Sequence, residues 1–167
     1  VVAEFGRLDI LVNNAGIALG NPFEAATREE FDLTFAVHVR APFFAAQAAA
    51  RHMREGGRII SIGSNLGERV ALPGLSVYSA SKSALYNLTR YLATYWAGKG
   101  VRVNSVTLAG VFADQDPRFL EGYLKKMPLG RMAEPDDYVG IMVYLLSDAS
   151  RYATGAEFRI DGGWTAW

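Results

Sequence analysis

At 167 residues, half of them hydrophobic and 20% charged, the chain suits one globular domain that buries roughly 68–70% of its unfolded surface. Lys+Arg and Asp+Glu are equal at 17 each, so there is no basic surplus of the kind that nucleic-acid or anionic-membrane binding calls for. With no cysteine, and His38 and His52 the only histidines, disulfides, thiol catalysis, Cys-based zinc and a histidine-built metal site are excluded.

The elements read in chain order as alternating strands and helices. "VVAEF" has the character of the tail of a helix ended by Gly6, which suggests a chain cut at its front. "LDILVNN", Leu8 to Asn14, is a nearly continuous apolar run and predicts a strand buried on both faces. Thr27 with Glu30 three residues later fits a capping box. A long helix is expected from about Arg28 to Glu55, bent near Pro42 and closed by Gly56 and Gly57. "RIISIGS" is the second strand and "NLGERVALPGL" a loop. The next helix carries "YSASK" and runs to Gly98-Lys99-Gly100. "VRVNSV" is a third strand, "DPRFLEGYLKK" and "EPDDYVGIMVYLLSDA" are helices with Pro117 and Pro135 in their first turns, and "AEFRID" is the last strand. Such alternation implies βαβ units, hence an α/β fold with a parallel sheet between two helical layers. Ligands bind such sheets at the carboxyl ends of the strands, where Asn13 to Gly16, Gly63-Ser64 and Leu108 to Gly110 fall. No apolar run reaches the ~18 residues that cross a bilayer, and no signal-peptide pattern opens the sequence, so a cytoplasmic protein is expected.

Tyr78 and Lys82 stand four residues apart, on one face of the predicted helix. Positive charge beside a phenol favours phenolate and lowers a pKa that is otherwise about 10. A tyrosine tuned toward neutrality can exchange a proton with a substrate. Taken alone, the pair is equally an ordinary helix surface, and Ser64 is equally a turn former at a strand end.

Joint spacing decides between these readings. "NNAG", "SIGS", "YSASK", "VRVNSV", "PLGRMAEPDD" and "DGGW" occur in an order and spacing that resembles the short-chain dehydrogenase/reductase family across the whole chain. The resemblance implies a partial Rossmann-like, doubly wound three-layer αβα fold, with residues 1–167 the C-terminal part of a single NAD(P)-binding domain. It implies hydride transfer between NAD or NADP and a small alcohol or carbonyl. Tyr78 would be the acid/base, Lys82 would hold down its pKa and bind the nicotinamide ribose, and Ser64 would hydrogen-bond the substrate oxygen. Asn14, Ala15 and Gly16 would lie against the cofactor, with Tyr78 and Lys82, and the backbone of Val111 would reach its nicotinamide end. Tyr86, Tyr91, Tyr95 and Trp96 read as packing or interface residues.

Three departures from the family pattern stand out. Its opening strands and Gly-rich phosphate turn are absent, and with them the residue that separates NAD from NADP. His38 stands where the family usually has the asparagine of an Asn-Ser-Tyr-Lys tetrad. An imidazole there could continue a relay and would titrate near 6.5, or be a buried helix histidine with a backbone partner. Leu108-Ala109 replaces the usual Pro-Gly, with Gly110 one residue later, and Ala113 replaces a threonine. Two functions remain: an oxidoreductase, or an inactive fragment serving as an oligomerisation module. The helices about Arg28–Glu55 and Ser76–Gly98 correspond to those that form the family's dimer interface as a four-helix bundle, and a homo-oligomer, dimer or tetramer, is expected.

Overall fold

Four short runs pair as parallel strands in the order β1 (Ile10–Asn13), β2 (Arg58–Ile62), β3 (Arg102–Leu108), β4 (Glu157–Ile160). The computed structural model describes residues 1–69 and 72–166. Val70 and Ala71 of the expected "NLGERVALPGL" loop, and Trp167, lie outside the described residues. Register runs Leu11 to Ile59 to Val103, and Ser105 to Glu157.

Side-chain alternation along the strands builds two cores. Ile59 and Val103 pack under Ala46, Ala49, Ala93 and Trp96 on one face. Ile60 and Val106 pack under Leu145 and Ile141 on the other. The helices responsible are α3 (Ala41–Ala50) and α4 (Ser76–Trp96) on the first face, and α6 (Val139–Leu146) on the second. This is the three-layer α/β arrangement expected. In α4 the buried positions Val77, Ser81, Leu85, Thr89, Ala93 and Trp96 recur every three or four residues, the stripe that seats a helix on a sheet. Asn104, fully buried in β3, donates to the Ala153 carbonyl and accepts from the Ala156 amide, which ties the approach to β4 onto the sheet.

The helix expected over about 28–55 is interrupted. After α2 (Arg28–Phe35), capped by Thr27 Oγ1 accepting from the Glu30 amide, residues Ala36–Arg40 form one wide π turn before α3. Pro42 explains it. It has no N–H for the His38 carbonyl and its ring pushes that carbonyl away, so the Ala41 amide bonds back to Ala36 instead. His38 therefore sits in the widened turn. The Glu30 side chain accepts from Asn21 Nδ2, so only half of the capping box forms. Here α3 stops at Ala50, short of the expected Glu55.

The first residues do form a helical turn, α1 (Val2–Phe5), ended by Gly6 at φ 69°. The sheet begins at β1, where Ile10 and Val12 are 38% and 37% exposed. Helix α5 (Pro117–Leu124), capped by Asp116, lies between β3 and α6. Among the described residues no helix is long and apolar enough to cross a membrane.

Candidate active site

The carboxyl ends of β1, β2 and β3 open into a cavity of about 520 Å³. Asn14, Gly16, Ser64, Tyr78, Lys82 and Val111 all line it. Ala15 lies beside this lining and His38 behind it.

At the end of β1 the chain passes close over α4. A Cβ added to Gly16 would lie 3.3 Å from His38 Nε2 and 3.8 Å from Lys82 Nζ. The missing side chain leaves a shallow cradle above the lysine. His38 forms the wall beneath it and is 1% exposed. Its Nε2 accepts from the Ile17 amide at 3.0 Å, and its Nδ1 lies 2.8 Å from Ser81 Oγ, which donates to the Tyr78 carbonyl at 2.7 Å. Burial, then the Lys82 charge, pushes the imidazole down to about 4. The structure thus gives a neutral, fully partnered ring where free histidine would titrate near 6.5.

Lys82 is buried, and its ammonium donates to the Ile62 carbonyl at the end of β2. Nζ stands 5.7 Å from the centroid of the Tyr78 ring. Burial pulls the lysine down to about 8. The Tyr78 phenol moves the other way from the sequence expectation. Burial pushes it above its ordinary value, and hydrogen bonding to Ser64 only partly offsets this. The ammonium is turned to the Ile62 carbonyl, and desolvation is the largest influence on the phenol. Ser64, in extended backbone, caps the single 3-10 turn Asn65–Gly67 by accepting from the Leu66 amide, and its hydroxyl makes a long bond, 3.4 Å, to Asn65 Oδ1. The hydroxyl lines the cavity within hydrogen-bonding reach of the Tyr78 phenol.

Val111 closes the far side, bridged to Ala133, with its carbonyl accepting from Gln115 Nε2. Gly110 donates its amide to Tyr123 Oη at 2.5 Å, and a Cβ there would meet Met132 and Tyr123 within 3 Å. The "DGGW" motif makes a turn. Gly162 and Gly163 have φ of 64° and 87°, Asp161 accepts from the Gly163 and Thr165 amides, and Trp164 is delivered onto Tyr123 with ring centroids 4.4 Å apart.

Tyr86 does more than the packing expected of it. It packs as expected, being 4% exposed, but its hydroxyl also binds the backbone of Ser64. Its spacing carried a signal. Four residues beyond Lys82, it shares the face of α4 that bears Tyr78 and Lys82. Tyr91 and Tyr95 stack on each other at 5.8 Å and are 61% and 66% exposed.

The family profile described as Enoyl-(Acyl carrier protein) reductase matches residues 1–165. A "D-threitol dehydrogenase" of Mycolicibacterium smegmatis is 39% identical over 172 residues, covering 99% of this chain and 66% of its own length. The solved "Short-chain dehydrogenase/reductase from Serratia marcescens" superposes with TM-score 0.95 at 40% identity, over 98% of this chain and 68% of its own. The chain belongs to the short-chain dehydrogenase/reductase family. A further structure of the same fold, a blue fluorescent protein from a metagenomic library in complex with NADPH, superposes with TM-score 0.94 at 39% identity, over 98% of this chain and 68% of its own. The chain spans about two thirds of the length of the curated relatives it matches.

Proposed function

We propose that the protein is an NAD(P)-dependent oxidoreductase that moves hydride between a nicotinamide cofactor and a small alcohol or carbonyl, with Tyr78 as acid/base. The observation that carries the reading is the convergence of Ser64, Tyr78 and Lys82 on one cavity beside a glycine cradle. Relatives named as dehydrogenases and a neighbour crystallised with NADPH support it.

The donors fit a nicotinamide riboside. Gly16 and Asn14 line the approach over Lys82, and the lysine ammonium is the one cation among the described residues lining the cavity. Lys82 would hold the ribose hydroxyls, Asn14, Ala15 and Gly16 its edge, and the Val111 backbone the amide end. When bound, the nicotinamide supplies the hydride in reduction and accepts it in oxidation.

In reduction, Ser64 turns its hydroxyl from Asn65 to the substrate oxygen, a donor worth about 2.7–4 kcal/mol in related oxyanion sites. Tyr78, held as phenol by burial, is in the form that gives a proton to that oxygen. The Lys82 charge stabilises the phenolate left behind. His38 fixes the Gly16 strand end and, through Ser81, the first turn of α4, so it serves the site by positioning. The protein acts in the cytoplasm as a homo-oligomer, a dimer or tetramer. Exposed Phe43, Phe44, Tyr91 and Tyr95 on α3 and α4 favour that assembly.

The test is consumption of NADH or NADPH against a panel of aldehydes and ketones. Turnover with at least one carbonyl, reduced about 10²-fold or more by Ser64→Ala, supports the reading. Turnover indifferent to Ser64→Ala contradicts it.

A further inference from the structure

A line of short contacts leads from the rim of the sheet to the active-site serine. Glu157 Oε1 on β4 lies 2.5 Å from Thr107 Oγ1 on β3. Thr107 Oγ1 lies 2.8 Å from Tyr86 Oη on α4, which lies 2.7 Å from the Ser64 carbonyl. Tyr86 Oη also accepts the Ser64 amide at 2.9 Å. One hydroxyl thus grips both backbone groups of Ser64. Gly63 and Gly67 flank this grip, and a Cβ on either would fall within 3 Å of the Tyr86 ring.

Three oxygen–oxygen links need three protons, and the two hydroxyls supply two. If Glu157 were a carboxylate, Thr107 would donate to it, and the single Tyr86 proton could fill the Thr107 link or the Ser64 link but not both. One contact, at 2.8 Å or 2.7 Å, would then have no proton between its oxygens. A proton on Glu157 fills all three links and commits the Tyr86 proton to Ser64. We propose that Tyr86 is a positioning residue for Ser64 and that a carboxyl proton held at Glu157 and Glu68 sets the direction of its hydrogen bond.

The surroundings of Glu157 suit that role. Glu68, from the segment after β2, meets it and is itself held by Arg159 of β4 at 2.6 Å and 2.9 Å. Arg90 of α4 stands 4.0 Å away, and Asp161 adds negative charge near Glu68. Burial and then Glu68 push Glu157 up, while bonding from Glu157 and Arg159 pulls Glu68 down, so a proton shared by the pair favours Glu157. Tyr86 is pushed up to about 12, so it remains a donor. The wire itself does not depend on the reaction proposed above. Its consequence for catalysis rests on the role proposed above for Ser64.

The two parts are tested separately. Carbon-13 NMR follows the Glu157 carboxyl and the Ser64 carbonyl as pH is raised from 4 to 9. The expected result is a Glu157 midpoint above the ordinary glutamate value of about 4.3, with the Ser64 carbonyl shift moving at the same midpoint. Thr107→Val should abolish the Ser64 response while Glu157 still titrates. Glu157→Gln, a permanent donor, should hold the Ser64 carbonyl at its low-pH shift. A flat Ser64 carbonyl in the unaltered protein, or one that still follows Glu157 in Thr107→Val, overturns the wire. Tyr86→Phe should lower kcat about tenfold with the cofactor KM unchanged, and unchanged kcat where Ser64→Ala is inactive overturns the positioning role. Loss of the Ser64→Ala effect with the wire intact would instead overturn the proposed function.

Discussion

Ser81 Oγ stands 2.8 Å from His38 Nδ1 and 2.7 Å from the Tyr78 carbonyl, and this fixes the state of the histidine. The hydroxyl proton belongs to the carbonyl, so Ser81 accepts from Nδ1–H. Nε2 must then be bare, as the Ile17 amide donating to it requires. A second ring proton would face that amide and the Lys82 charge.

His38 therefore links stability to pH. Its folded pKa of about 4 lies below the unfolded 6.5, so the unfolded chain binds more protons between them. The contribution of the neutral ring is complete above 6.5 and is lost as pH falls through 6.5 toward 4. Denaturant melts at pH 7.5 and pH 5 should show a larger loss for the unaltered protein than for His38→Asn. Between pH 6.5 and 8.5 the rate profiles of the two should have the same shape. A rate limb near 6.5 that disappears in His38→Asn would contradict this.

Gly16→Ala should damage cofactor binding and the fold together. The new methyl would press on a ring held at both nitrogens, which cannot give way without breaking a buried bond. Overpacking of this kind costs about 1–3 kcal/mol. NAD(P)H fluorescence titration should show at least tenfold weaker binding, with a lower midpoint in the denaturant melt.

Lys82→Met should separate stability from function. Burial holds the folded pKa near 8, below the unfolded 10.5, so the charged lysine is disfavoured in the fold. That cost is full below about pH 8 and relieved as pH rises toward 10.5. At pH 7 the variant should melt no lower than the unaltered protein, yet lose cofactor affinity and about 10²-fold or more in turnover. A lower Tm with near-normal kcat would contradict the assignment.

Carbonyl reduction and alcohol oxidation should respond differently to pH. With Tyr78 held above its ordinary pKa, the phenol that reduction needs dominates through neutrality. Oxidation needs phenolate, so its rate should climb steadily from pH 7 to 10 while the reduction rate stays level below pH 9. Parallel profiles would show that another group sets the proton balance.

Much of this architecture was legible in the sequence. β2 and β3 are buried on both faces, and that burial demands the apolar runs by which they were read. The spacing from "NNAG" through Ser64 to Tyr78 and Lys82 was legible because each residue sits at a strand end or on the helix facing it. What escaped depends on contacts across the fold. The π turn at Ala36–Arg40 comes from Pro42, but its purpose, seating His38 under Gly16, exists only when β1 and α4 meet. Tyr86 finds Ser64 22 residues earlier in the chain, and Thr107 finds Glu157 50 residues later. The direction of the Tyr78 shift was missed because charge spacing is visible in a sequence and desolvation is not.

The central claim is that the Tyr78 hydroxyl moves the proton. The most direct measurement is kcat of Tyr78→Phe with the carbonyl substrate, alongside the Kd for NAD(P)H and the denaturant midpoint. The account predicts a loss of about 10²–10⁴-fold in kcat, with Kd and midpoint close to those of the unaltered protein. Near-normal kcat in a folded, cofactor-binding Tyr78→Phe protein would contradict it.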